Sequence, residues 1–528
     1  DSIAAAVSKH SFSVDAVDDI DAAVAEACAL ARSGRPGPVH LSVPIDVLAA
    51  TSTTATGIIT APMASTVAPL TAEARAALAE AAGALHGAER PVVIAGGGAR
   101  GAPLAALAEA LDAPVLCTVA GKGALHEGHP LAAGARLHHP LAREALLDEA
   151  DALLLVGTQL SPTDYWQFAH TAEVPLPPSL LRRATHVDLD PASLEQGGVG
   201  RAGGRAVLAD AALACEALLD SLAAHGGGGG GRWGGGAAEV IAAAKASADA
   251  PAALSETLMW DFEAPSGGGH AMVRTLRALR AAVPDDAPLV SDVCRLGYTA
   301  LSLYPSHGRS GFLYPVGTTA LGYGLPAAVG AALGRRLTGD AGPVVAIVGD
   351  GGLQLSAQEL AVAAEEKLPL LLVVWNDGSY GEIRRSLPDF ATEVPRPDLS
   401  LLCAAYGIDH VRVEDGAGVE AALRSPRVRE LLQGGGSEAG GGGEAGGGGG
   451  GPLLLEVNRA WDAHVTPAAE ADAACAEAVA PKPILGTMTF GWAQASSAVG
   501  EEAAAAMVRA FVAAGGEEVD TARMYAAG

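Results

Sequence analysis

The sequence is poor in positive charge, in paired cysteines and in long apolar runs, and each shortage excludes a class of protein. Only 34 Lys and Arg stand against 60 Asp and Glu, a formal charge of -26. A general electrostatic grip on nucleic acid or on an anionic membrane is therefore excluded. Anions can still be held locally, through a metal ion or backbone amides. The six cysteines, Cys28, Cys117, Cys215, Cys294, Cys403 and Cys475, are far apart and form no C-x-x-C pair. This fits neither a disulfide framework nor a zinc site, and a reducing compartment inside the cell is expected. The two longest uncharged stretches, residues 47–72 and 310–334, are broken by Pro62, Pro69, Pro315 and Pro326, so no membrane span is predicted. The first residue is Asp1 rather than Met, and no signal or transit segment is legible; the chain reads as cut at its start.

What is present is ample apolar material. At 528 residues and 49% apolar composition the chain can bury several cores, about three domains' worth. Glycine is abundant, 68 residues, and many fall in two tracts, 226–236 and 434–451, that read as flexible insertions. The first lies between α/β regions; the second interrupts one.

Four segments follow from periodicity. Residues 1–50 carry a helix over 19–31 and a strand over 39–43, too little for a domain and better read as the end of one. Residues 70–225 alternate helix and strand, with strands at 91–95, 115–118, 152–156 and 185–189 and helices at 71–86 and 102–111, which implies a parallel sheet covered on both faces. Here Gly96, Gly98 and Gly101 spell G-x-G-x-x-G between a strand and a helix, the context of a dinucleotide fingerprint. The acidic partner such a site needs is not in place: Asp112 comes too early and closes a helix, so a plain glycine turn is the stronger reading. Residues 226–268 are a glycine-rich linker.

Residues 269–465 hold the chemistry. A strand over 344–348 leads into Gly349-Asp350-Gly351-Gly352, a helix is expected over 356–367, and a second strand over 368–375 leads into Asn376-Asp377-Gly378-Ser379-Tyr380-Gly381. One carboxylate thus stands at the carboxyl end of each strand of a β-α-β unit. In open parallel sheets ligands bind outside those ends. Two hard oxygen ligands beside glycine turns with free N–H groups suit a divalent cation bridging a diphosphate. Singly, either aspartate would read as a turn or cap residue.

GDG, 24 further residues and Asn-Asp together resemble the signature of the thiamine-diphosphate enzymes, in the acetolactate synthase and 2-oxo acid decarboxylase branch. The likeness extends to GRPGPVHLSVPIDV (34–47), similar to the end of that family's pyrimidine-binding domain, and to VDLDP (187–191) in its central domain. It also takes in YPVGTTALGYGLPAAVGA (314–331), at the entry to its diphosphate-binding domain. The resemblance implies an α/β fold of doubly wound parallel-sheet domains and a thiamine-diphosphate- and Mg²⁺-dependent lyase or carboligase acting on 2-oxo acids, in a homodimer or homotetramer. It implies Asp350, Asp377 and the main-chain oxygen of Ser379 as Mg²⁺ ligands, Gly351 and Gly352 at the phosphates, and Leu321 as the wedge that bends the cofactor. Val293, Thr319, Gly349, Tyr380 and Gly381 complete the implied cofactor contacts. The family more often has Asn where Asp377 stands, and the extra charge falls near the diphosphate. FAD occurs in the central domain of acetolactate synthases, but no residue here argues for it.

Glu382 stands where acetolactate synthases tend to carry an apolar residue. GSYGEIRR (378–385) looks closer to guanidino-oxopentanoate decarboxylases, where an acid can meet a cationic substrate tail; pairing of Glu382 with Arg385 on the surface is the bland alternative. The glutamate that activates the cofactor belongs to the early pyrimidine-binding domain, and none of Glu26, Glu73 or Glu80 sits in its context. A chain with the metal and diphosphate half of the site but no turnover is therefore expected, and a non-catalytic cofactor-binding protein is the alternative. A nucleotide-dependent dehydrogenase is a third, weaker reading. Residues 466–528 form a last segment: PILGTMTFGWAQ (483–494), a helix over 497–514 and EVDTARMY (518–525) resemble the opening of an aldo-keto reductase, a TIM-type barrel, with Asp520 and Tyr525 in the places of a catalytic pair. Some fifty residues cannot close a barrel, so no reductase activity is expected.

Overall fold

The computed structural model describes residues 2–52, 67–137, 139–161, 164, 176–226, 233, 236–250, 268–308, 311–340, 342–386, 392–395, 397–433, 451–458, 484–486 and 518–520. Both glycine tracts fall almost wholly outside these residues, as do the expected helix at 497–514 and Tyr525. The chain divides into two compact units, Asp1–Asp462 and Ala463–Gly528.

The first unit opens with strand β1 (His10–Ser13), helix Ile20–Arg32 and strand β2 (Val39–Ser42), and the two strands pair in parallel. The sequence reading missed β1, whose HSFS offers little apolar signal. Next comes a six-stranded sheet of β3 (Pro91–Ala95), β4 (Val115–Cys117), β5 (Ala132–Gly134), β6 (Ala152–Val156), β7 (Ala184–Asp188) and β8 (Arg205–Leu208). Its order is β5-β4-β3-β6-β7-β8 and every pairing is parallel. The chain winds outward in both directions from the β3/β6 boundary, which makes that boundary the switch point. Thr71 caps helix Ala72–His86 by accepting from the Ala74 N–H at 3.1 Å, and that helix buries Leu78, Ala81, Ala82 and Leu85 on the sheet.

A second six-stranded parallel sheet contains β9 (Leu289–Ser291), β10 (Phe312–Leu313), β11 (Val344–Gly349), β12 (Leu370–Asn376), β13 (Asp409–Val413) and β14 (Leu453–Asn458), in the order β10-β9-β11-β12-β14-β13. Strands β11 and β12 are apolar over Val344–Val348 and Leu370–Trp375 because both faces are covered: Val345, Ile347, Leu371 and Val373 enter one core, and Val344, Ala346, Leu370 and Leu372 enter the other. The helix expected at 356–367 is instead two, Asp350–Ser356 and Glu359–Glu365. The first begins at the end of β11 in spite of the low helix propensity of Gly351 and Gly352, which are buried there.

The two sheets' domains meet around a buried ion pair, Lys122 Nζ to Glu127 Oε1 at 2.9 Å, with Lys122 also over the Phe312 ring. The Glu127 N–H donates to Ser306 O at 3.0 Å. The N-terminal piece is tied on by Arg35, whose guanidinium reaches Asp190 Oδ2 at 2.6 Å and lowers that carboxyl's pKa. In the second unit β15 (Ile484–Gly486) and β16 (Glu518–Asp520) pair in parallel, placing Asp520 at a strand end. Among the described residues no helix is long and apolar enough to cross a membrane.

Candidate active site

β11 and β12 run side by side in register, Gly349 opposite Trp375, so the next residues of both strands emerge at one edge of the sheet. The chain turns outward between β9 and β11, and that switch point opens a cavity of about 270 Å³. Val293, Thr319, Leu321, Gly349, Asp350, Gly351, Gly352, Asp377, Ser379, Tyr380, Gly381 and Glu382 all line it. Every residue implied to contact the cofactor or metal, and Glu382 with them, thus lines one cavity. Asp520 belongs to the other unit.

The acids are buried: Asp350 is 7% exposed and Asp377 3%. Asp377 Oδ1 accepts from the Ser379 N–H at 3.3 Å and Oγ–H at 3.1 Å, which fixes its rotamer. The loop behind it is pinned, because Tyr380 N–H donates to Thr392 O at 2.8 Å and Val394 N–H to Gly378 O at 3.0 Å. The glycines are required by close approach. A Cβ on Gly351 would fall 2.6 Å from the Tyr380 ring, and one on Gly352 would fall 2.7 Å from Asp292 Oδ2. Gly351 and Gly352 lie in the first turn of helix Asp350–Ser356, where N–H groups have no intrahelical acceptor, beside two carboxylates: a cradle for a divalent cation and an anion together. The donor set therefore fits Mg²⁺ and a diphosphate.

Exposed apolar side chains share the cavity lining with the acids. Leu321 is 42% exposed and Ile383 53%, and both line the cavity. Thr319 holds a φ of 50°, a left-handed conformation that a β-branched residue adopts only under constraint. Its N–H is held by Pro315 O at 3.2 Å, and the loop is anchored three residues on by Asp292, which the sequence reading passed over. It is fully buried, accepts from Val293 N–H at 2.7 Å through Oδ1 and from Gly322 N–H at 3.1 Å through Oδ2, and so ties the loop carrying Leu321 to the end of β9. Burial raises its pKa against those bonds. The one available signal was Ser-Asp ending an apolar strand. Cys294 lies among the three acids, and its thiol is pushed up by burial and then by Asp292, Asp377 and Asp350. Arg295, also missed, reaches Asp377. Tyr298 lines the cavity near Glu382, burial and then the Glu382 charge raising the Tyr298 pKa.

A second crevice of about 590 Å³ lies at the β3/β6 switch point, lined by Gly97, Gly98, Gly157, Asp164 and Asp188 among others. Two of the fingerprint glycines serve backbone packing there: a Cβ on Gly96 would lie 2.1 Å from Gly157 O and one on Gly98 3.0 Å from Gly157 Cα. Asp112 caps helix Leu104–Leu111 in a left-handed conformation and is absent from the crevice lining. A larger groove of about 980 Å³, bordered by Arg277, Arg424 and Arg429, lies by the amino ends of β9 and β11, away from the acids.

Comparison with known proteins gives the class. Residues 292–430 match the thiamine pyrophosphate enzyme C-terminal TPP-binding domain, and residues 78–218 match the central domain of the same enzymes. The chain belongs to the thiamine pyrophosphate enzyme family. Among its relatives, a Pseudomonas aeruginosa protein named "Probable 2-ketoarginine decarboxylase" is 36% identical over 415 residues, 76% of this chain and 66% of that protein. The large subunit of acetolactate synthase isozyme 1 of Escherichia coli is 26% identical over 436 residues, 79% of this chain and 70% of that one. In fold it resembles benzoylformate decarboxylase from Polynucleobacter necessarius, at a TM-score of 0.62 and 20% identity, covering 86% of this chain and 76% of that one.

Proposed function

We propose that the chain binds thiamine diphosphate with Mg²⁺ and acts on a 2-oxo acid. The observation that carries this reading is the meeting of Asp350 and Asp377, from adjacent parallel strands, in one cavity lined also by glycine backbone and an exposed leucine. Asp350, Asp377 and the Ser379 carbonyl would hold Mg²⁺, and the N–H groups of Gly351 and Gly352 would meet phosphate oxygen. Leu321 would support the bent cofactor. Thiamine diphosphate, when bound, supplies the electron sink for loss of CO₂. The chain's own contribution is to orient that group and exclude water from it with Leu321, Ile383 and Tyr298.

For the substrate, a 2-oxo acid with a cationic guanidino tail is favoured over the pair of small 2-oxo acids an acetolactate synthase would join. Glu382, in the first turn of helix Gly381–Ser386, borders the cavity beside Tyr298 and would meet that tail. The relative named for 2-ketoarginine points the same way. Arg385, the alternative partner of Glu382, has its side chain outside the described residues.

Residues 1–528 alone are proposed to lack turnover. Among the described residues Glu382 is the only glutamate lining the cavity; Glu26 lies in helix Ile20–Arg32, and Glu73 and Glu80 in helix Ala72–His86. Calorimetric titration tests the cofactor reading, with Mg²⁺-dependent binding of thiamine diphosphate expected and none of NADPH. Saturation-transfer NMR on the loaded protein tests the substrate: 5-guanidino-2-oxopentanoate should bind and Glu382→Gln should abolish it. Equal binding of pyruvate and the guanidino acid would sink that assignment.

A further inference from the structure

Arg295 stands at the start of helix Arg295–Leu303, and its Nη1 lies 3.3 Å from Asp377 Oδ2. Both side chains are largely buried, 12% and 4% exposed. Among the described residues lining the cavity it is the single cation, facing Asp350, Asp377 and Glu382. The approach depends on Gly381: a Cβ there would fall 2.5 Å from Arg295 Cδ and 2.9 Å from Asp377 Oδ2. Asp377 is thus held from both sides, Oδ1 by Ser379 and Oδ2 by Arg295.

We infer that Arg295 is a positioning residue for the metal and diphosphate site, acting through Asp377. It rests on the thiamine diphosphate reading above. Two buried carboxylates and a diphosphate carry more negative charge than one divalent ion offsets. An aspartate at position 377 is therefore tolerable only with a fixed cation beside it. Arg295 supplies that charge without competing for Oδ1, and its planar, permanently charged group keeps the carboxylate in one rotamer. A neutral side chain at 377 would need no such partner, so Arg295 and Asp377 act as one unit.

A double-mutant cycle on the 528-residue chain tests this, with Arg295→Met, Asp377→Asn and both together. Two readouts are needed: denaturant melts of the cofactor-free protein, and Mg²⁺-dependent affinity for thiamine diphosphate followed by quenching of Trp375, which lines the cavity. Arg295→Met should lose at least tenfold in affinity and melt earlier. Adding Asp377→Asn should recover most of both, and Gly381→Ala, which bars Arg295 sterically, should reproduce the affinity loss. If Arg295→Met does not fold but the double variant does, the coupling is demonstrated by that rescue. Wild-type binding combined with purely additive losses would overturn the role of Arg295. Melt coupling in a wild-type protein that binds no thiamine diphosphate would overturn the cofactor reading instead.

Discussion

Asn376 donates from Nδ2 to Glu456 Oε1 at 2.7 Å, joining the last residue of β12 to β14, while Glu456 Oε2 lies 2.9 Å from His410 Nε2 on β13. Three neighbouring strands are thereby locked where the chain turns into the site. The asparagine before Asp377 is committed to the sheet, and Asp377 alone is delivered to the cavity. Asn376→Ala would leave one oxygen of a buried carboxylate without its donor. A loss of about 1–3 kcal/mol in urea melts is expected. Unchanged stability would mean the bond is not formed in solution.

Asp350 and Asp377 should differ under substitution. If Asp350 holds the ion as proposed, Asp350→Ala removes that oxygen and should abolish Mg²⁺-dependent binding of thiamine diphosphate in calorimetry. Asp377→Asn keeps an oxygen in place and relieves part of the excess negative charge, so it should retain Mg²⁺-dependent binding where Asp350→Ala loses it. Loss of binding in both would show that the charge of Asp377, and not its oxygen, is what the ion requires.

Why the site was legible and its supports were not follows from spacing. Asp350, Asp377 and their glycines lie beside apolar runs whose length fixes strand ends, so their convergence could be read from one β-α-β unit. Asp292, Arg295 and Glu456 act across strands that are distant in sequence, through side chains whose direction depends on strand order. Nothing in SDVCRLG (291–297) says that Asp292 ties down a loop 30 positions later or that Arg295 reaches a residue 82 positions later. The missed strands β5 and β8, AAG and RAVL, are short edges of their sheet. Their formation follows from the neighbour they pair with and not from their own pattern.

Thr319 pays for its place in the cavity wall. A β-branched residue at φ 50° costs about 1–3 kcal/mol, and glycine removes that cost while adding freedom to the unfolded chain. Thr319→Gly should therefore raise stability by roughly 0.5–1 kcal/mol. It should also weaken thiamine diphosphate binding, because the loop to Leu321 loses its fixed path. A variant that gains stability with unchanged affinity would show that the strained loop does not shape the site.

Asp164, in the crevice of the central domain, should make stability depend on pH. It is 7% exposed, its Oδ1 accepts from the Val119 N–H at 3.1 Å, and burial pushes its pKa up to about 6. A carboxyl whose folded pKa is raised favours folding in its protonated form. Its contribution is fully present below the unfolded value near 3.8 and is lost as pH rises through about 6. Across that window it should remove on the order of 2–3 kcal/mol, and Asp188, raised by burial in the same crevice, acts in the same direction. Asp164→Asn keeps the acceptor for Val119 but cannot ionise. Urea melts at pH 4.5 and 7.5 should show wild type losing stability relative to this variant at the higher pH. A difference that stays constant between the two conditions would mean that Asp164 titrates alike in the folded and unfolded chain, and that the crevice is open to water.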